Sequence, residues 1–145
     1  MPSDPVDDLA HDHADINRRV LALGALIRAA SSGLAAPLAE LRELLFLHFA
    51  REEEGLFPYV SEHVPALAGA VHDMASAHDA ICGALARMSY LAAAGDALPT
   101  IATVYTRFAT AYAEHSARET ALLADLATRL QPAERAALLA LLASL

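Results

Sequence analysis

The chain has 145 residues, 56% of them hydrophobic, with ten basic against eighteen acidic residues and a net charge of −8. That length suits one domain, residues 1–145, with a core of its own, and the acid excess argues against a nucleic-acid partner. With Cys82 as its only cysteine the chain forms no internal disulfide, and nothing suggests an oxidising compartment.

Ser3-Asp4-Pro5 reads as a helix start, with proline allowed in the first turn. The acidic, polar opening lacks the basic and apolar parts of a signal peptide, so a cytoplasmic location is expected. The first helix runs to about Ala30, with Ile16, Val20, Leu23 and Ile27 on one stripe, and Ser31-Ser32-Gly33 ends it. A second helix begins near Pro37 and turns Leu41, Leu44, Leu45 and His48 inward, and Pro58 is expected to bend or end it. Pro65 restarts the chain, and a third helix runs to about Ala94 before Gly95-Asp96. Pro99 opens a fourth helix that continues to about Leu130, and Gln131-Pro132-Ala133-Glu134 starts a short fifth. The last helix is apolar nearly all round and must pack on the bundle or on a second copy, which makes a homodimer through this Leu-rich segment an expectation. Its apolar run, Ala136 to Ala143, is far short of the ~20 residues a membrane span needs. No strand pattern is present, so the sequence predicts an all-α, up-down-up-down four-helix bundle with a short C-terminal fifth helix.

Two segments of this pattern carry the same motif. His48-Phe-Ala-Arg-Glu52 and His115-Ser-Ala-Arg-Glu119 each set an imidazole and a carboxylate four residues apart. On a helix that spacing turns about 40° beyond one full turn and rises about 6 Å, so both side chains leave one face. His13-Ala-Asp-Ile16 and His78-Asp-Ala-Ile81 form a second repeat, with 35 residues from His13 to His48 and 37 from His78 to His115. The two halves therefore read as hairpins related by a pseudo-two-fold axis that brings the four histidines to one core site.

Isolated buried charge is costly, and a metal gives these residues a reason to be inside. The candidate ligands are His13, His48, Glu52, His78, His115 and Glu119. Imidazole and carboxylate suit iron, manganese or zinc, while the lack of a cysteine set argues against structural zinc or an iron–sulfur cluster. With both glutamates bridging, each of two ions receives two oxygens and two imidazoles. A bridging oxo or hydroxo group then leaves one position of an octahedral ion for a small molecule.

Other residues read more plainly. His11 lies about 200° from His13 and is expected in solvent, as are His63 and His72. Glu53 and Glu54 read as a solvated face, with a position behind a ligand, or service as a ligand itself, as the alternatives for Glu53. Cys82 and Tyr112 read as core residues, Tyr112 also as a lining of the site. Phe49, Phe57 and Phe108 read as core that keeps bulk water from the metals.

The sequence resembles the hemerythrin-like family, the HHE cation-binding domains, over almost the whole chain. The most specific segment is His48-Phe-Ala-Arg-Glu52-Glu53-Glu54-Gly-Leu-Phe57-Pro58, with its histidine, paired acids and aromatic-proline. His13 and His78 match the lone histidines of the family's first and third helices, and His115 and Glu119 match its fourth-helix motif. The resemblance implies a non-haem centre of two iron ions in a four-helix bundle that binds O₂, peroxide or nitric oxide as carrier, sensor or defence protein. Two departures separate the chain from the oxygen carriers. Met74 stands where they have a further histidine, and Glu119 follows His115 by four residues where they place an aspartate five residues on. Two histidines per iron leave both ions open, which suits reaction with peroxide or nitric oxide better than reversible oxygen carriage. The expected function is therefore reaction with a small oxidant in oxidative or nitrosative defence or sensing. An oxygen store or sensor without turnover, and a metal-free helical interaction module, are the alternatives.

Overall fold

A computed structural model describes residues 5–95 and 98–144, with side chains from Asp12 onward. The expected helix start at Ser3-Asp4, the side chain of His11 and Asp96 of the second turn lie outside the described residues. Helix α1 spans Pro5–Arg28, α2 Ala35–Arg51, α3 Phe57–His63, α4 Ala68–Ala94, α5 Leu98–Arg129 and α6 Pro132–Ala143. No strand is present among the described residues. Helix α1 packs on α2 and α5, and α4 packs on the same two, which is the square of a four-helix bundle.

The first hairpin turns through Ala30, whose φ of 53° is left-handed. Ala30 N donates to Ile27 O and Ser31 N to Leu26 O, so the last carbonyls of α1 are satisfied by a Schellman-type turn. The second hairpin turns through Gly95, at φ 82°, where glycine has no Cβ to clash. Helix α1 approaches α5 closely at Gly24: a Cβ there would strike the ring of Tyr105, whose hydroxyl donates to Val20 O at 2.8 Å.

The expected break at Pro58 takes another form. Glu52–Leu56 is a π-turn, and Phe57 N–H bonds the Glu52 carbonyl five residues back. A regular helix would drive the proline ring into the carbonyl four residues earlier, and the wider turn relieves that clash. The chain then continues as α3 to His63 instead of ending. Gly55, Leu56 and Phe57 are consecutively buried, which a regular one-faced helix does not allow.

Two apolar clusters fill the bundle. One contains Ile16, Val20, Leu23, Leu41, Leu45, Phe49, Ile81, Leu85, Phe108 and Tyr112. The other contains Leu56, Phe57, Val60, Val71, Met74, Leu122, Leu123 and Leu126. Helix α6 closes this second end with Leu138 and Leu142, so it packs on its own bundle. Gln131 and Glu134 form the capping box that starts it, and Tyr59 donates to Glu134 O at 3.0 Å. Arg135 further ties α6 to α5 by donating to the Ala127 carbonyl.

Candidate metal centre

Six polar residues are sealed within this apolar bundle: His13, His48, Glu52, His78, His115 and Glu119, with exposures from 0% for both glutamates to 6% for His13. They are the six residues singled out in the sequence, and the fold brings all of them together. Helix α1 supplies His13, α2 His48, α4 His78, and α5 both His115 and Glu119, while Glu52 opens the π-turn.

The donor atoms form two groups that share Glu52. His13, His48, Glu52 and Glu119 bring one ligand atom each to within 4.8 Å of one another, and Glu52, His78 and His115 do the same. Each carboxylate reaches both groups. Glu52 Oε1 lies 2.7 Å from His48 Nε2, and its Oε2 lies 2.7 Å from His78 Nε2 and 3.7 Å from His115 Nε2. Glu119 Oε1 lies 3.3 Å from His48 Nε2, and its Oε2 lies 2.8 Å from His13 Nε2 and 3.3 Å from His115 Nε2. The Nε2 atoms of His78 and His115 face each other at 3.2 Å.

The short contacts of the carboxylates lack hydrogen-bonding geometry. All four oxygens of Glu52 and Glu119, and His48 Nε2, are buried without a partner in hydrogen-bonding geometry. Buried carboxylates normally find donors, because leaving the charge bare costs several kcal/mol, about as much as any single interaction in the fold. A cation among these atoms resolves the deficit. The donor set is nitrogen and oxygen throughout, and Cys82 belongs to neither group, so the residues present fit iron or manganese better than a thiolate-preferring ion.

The proton balance points the same way. Burial opposes charge on His48, but Asp12, Glu119 and Glu52 outweigh it and push its pKa up to about 11. His115 is likewise opposed by burial and raised to about 9 by Glu119 and Glu52. Burial alone would raise the carboxyl of Glu119, yet its contacts with Glu52, His115, His13 and His48 hold it well below the usual carboxylate range. The cluster therefore gathers positive charge around its carboxylates, as protons when no metal ion takes their place.

Behind the imidazoles stands a second set of contacts. His78 Nδ1 lies 3.0 Å from Glu53 Oε1, and His48 Nδ1 lies 3.5 Å from Asp12 Oδ2, to which Arg51 Nη1 donates at 3.0 Å. An acceptor for Nδ1–H orients the ring and leaves Nε2 to face a metal ion. Glu53 thus takes the position behind a ligand. Asp12 was not visible in the sequence, because its partners His48 and Arg51 lie on another helix. Phe49 stacks on His78 at 3.7 Å between ring centroids, and Phe57 lies on the same imidazole at 5.7 Å, so these two cover His78, while Phe108 packs against Tyr105 and Tyr112 instead.

Met74 is buried in the apolar cluster of Leu56, Phe57 and Leu122, where it serves as packing. Cys82 is partly buried, and burial together with Glu53 and Asp79 raises its pKa, which leaves the thiol protonated and weakly nucleophilic. His63 and His72 are exposed, with His63 stacked on Tyr59. Among the described residues, no helix is long and apolar enough to cross a membrane.

The model of one protein family, the Hemerythrin HHE cation binding domain, matches residues 4–127. No protein of curated function and no solved structure matches the chain.

Proposed function

The chain belongs to the hemerythrin HHE cation-binding family, and on that premise we propose that it holds two iron ions and reacts with a small oxidant, peroxide or nitric oxide ahead of O₂. The observation that carries this reading is the placement of Glu52 and Glu119, each within reach of both histidine pairs. Carboxylates so placed would each serve both ions. His13 and His48 would hold one ion, His78 and His115 the other.

A bound iron pair supplies two electrons and open coordination positions. The protein's own residues do the rest. Glu52 and Glu119 balance the positive charge of the ions inside an apolar bundle. Asp12 and Glu53 hold His48 and His78 by their Nδ1 atoms and so turn the Nε2 atoms towards the ions. Phe49 and Phe57 exclude water from His78. Met74 offers a thioether, a poor donor to ferric iron, at the position where a further imidazole would have filled the coordination sphere. Four imidazoles and two carboxylates therefore leave each ion short of six protein donors, which favours reaction over reversible carriage. A cytoplasmic role in oxidative or nitrosative defence or sensing fits that chemistry.

The test is anaerobic iron loading followed by metal analysis, then optical spectra and stopped-flow mixing with O₂, peroxide and nitric oxide. About two irons per chain and rapid oxidation of the ferrous protein by peroxide are expected. A chain that takes up one metal or none refutes the centre. A stable complex with O₂ that reverses on deoxygenation moves the function to oxygen storage or sensing.

A further inference from the structure

One buried polar group has no task in the metal centre. Tyr112 is 3% exposed, and its hydroxyl is the one buried hydroxyl with no partner in good hydrogen-bonding geometry among the described residues, the side chain of Ser116 being near enough to act on it. The other tyrosines are accounted for. Tyr59 and Tyr105 donate to the carbonyls of Glu134 and Val20, and Tyr90 is 73% exposed.

Tyr112 shares α5 with the site. It lies three residues before His115 and seven before Glu119, which is about 20° from Glu119 around the helix. Its ring runs parallel to Phe108, with centroids 6.3 Å apart, so it is held within packed core. Burial and the carboxylates of Glu119 and Glu52 raise its pKa, while Ser116, one turn on, acts in the opposite direction. The phenol thus sits in the field of both shared carboxylates and keeps its proton. The opposite wall offers no such group: Leu56, Phe57, Met74, Leu122 and Leu123 are hydrocarbon or thioether.

We propose that Tyr112 donates a hydrogen bond to the small anion or diatomic molecule held at the metal pair, and so sets the side of the pair on which that ligand sits. This rests on the metal-pair reading. A phenol facing an aprotic opposite wall steadies charge gathering on such a ligand, and its position on the helix of His115 and Glu119 keeps it in register with them.

The test compares the iron-loaded protein with iron-loaded Tyr112→Phe, using azide as the probe. Iron content, azide affinity by optical titration, and the shift of the azide vibration between H₂O and D₂O are read for both. Equal iron, about tenfold weaker azide binding in the variant, and loss of its D₂O shift are expected. Equal affinity at equal iron refutes the donor role and leaves the metal pair standing. The absence of any D₂O shift in the unaltered protein refutes it without reference to the variant. Loss of a visible absorption band on Tyr112→Phe before azide is added would make the phenolate itself a ligand, which also overturns the proposal. An unaltered protein that takes up no iron overturns both readings.

Discussion

In the hairpin of α1 and α2, His48 is backed by Asp12 from its own hairpin, and Arg51 holds that carboxylate in place. In the hairpin of α4 and α5, His78 borrows Glu53 from the π-turn that follows α2, and His115 Nδ1 is buried without a partner. The turns differ as well: Ala30 takes the left-handed position in the first and Gly95 in the second. The candidate ligands therefore repeat while their support does not. The shared carboxylates make the two halves one unit, and the second half depends on the first for the acceptor behind its histidine.

The largest effect should come from breaking what the halves share. Glu119→Ala removes a carboxylate within reach of His13, His48 and His115 and, on the proposed reading, would leave two mutually repelling ions with only Glu52 between them. Iron is expected to fall from about two per chain to nearly none, as measured by elemental analysis. If one ion remains at full occupancy, the halves bind independently and Glu119 is no bridge.

Loss of the backing carboxylates should sharpen the difference between the hairpins. Glu53→Ala is expected to weaken the ion at His78 and His115, and Asp12→Ala the ion at His48 and His13, each by roughly tenfold or more. The Glu53 variant should show the larger loss, because its contact is 3.0 Å against 3.5 Å for Asp12. Stepwise metal titration resolves the two ions, and equal losses at both in either variant would show that the backing contacts do not divide between them.

Acidity separates the metal-free and the loaded protein. His48 and His115 have pKa values raised from 6.5 to about 11 and about 9. The stabilisation from their protonation is complete below pH 6.5 and is lost as the pH climbs through 9 towards 11. The metal-free protein should thus melt at lower temperature as the pH rises from 6.5 to 9. Metal ions compete with protons for the same nitrogens, so the margin of the loaded over the metal-free form should widen across that range. Parallel thermal melts check both slopes, and a metal-free protein that gains stability with pH would contradict the charge balance of the cluster.

The turns give the smallest effect. Ala30→Gly should stabilise the protein by about 1 kcal/mol by removing a Cβ from a left-handed residue, and Gly95→Ala should cost about as much. Denaturant melts read both, and a loss of stability in Ala30→Gly would mean that unfolded-chain entropy outweighs the relief of strain.

The repeat of spacing in the sequence was enough to find the six clustered residues because ligand geometry is local. A histidine and a glutamate four apart share a face of any helix, and the lone histidines of the other two helices stand on the apolar stripes that must turn inward. Helix limits followed from the same kind of signal. Gly95 ended α4, Gln131 to Glu134 capped α6, and the stripe Ile16, Val20, Leu23 and Ile27 was buried as expected. Pro58 was recognised as a disturbance, but its resolution as a π-turn was not, since one proline is compatible with an end, a kink or a widened turn.

What the sequence determined by itself was periodic: the helices, their buried faces, and the inward direction of His13, His48, Glu52, His78, His115 and Glu119. Everything that depends on residues from different helices was decided by the tertiary structure. Asp12 meets His48 and Arg51 across α1 and α2, Glu53 crosses to His78 on α4, and Phe49 lies flat on that same imidazole. The division of four histidines into two pairs, and the reach of each glutamate to both, belong to this second class. The physical reason is one of range. Helical phase is fixed by 3.6 residues per turn within one segment, whereas the distance between side chains on neighbouring helices depends on how the apolar faces interlock.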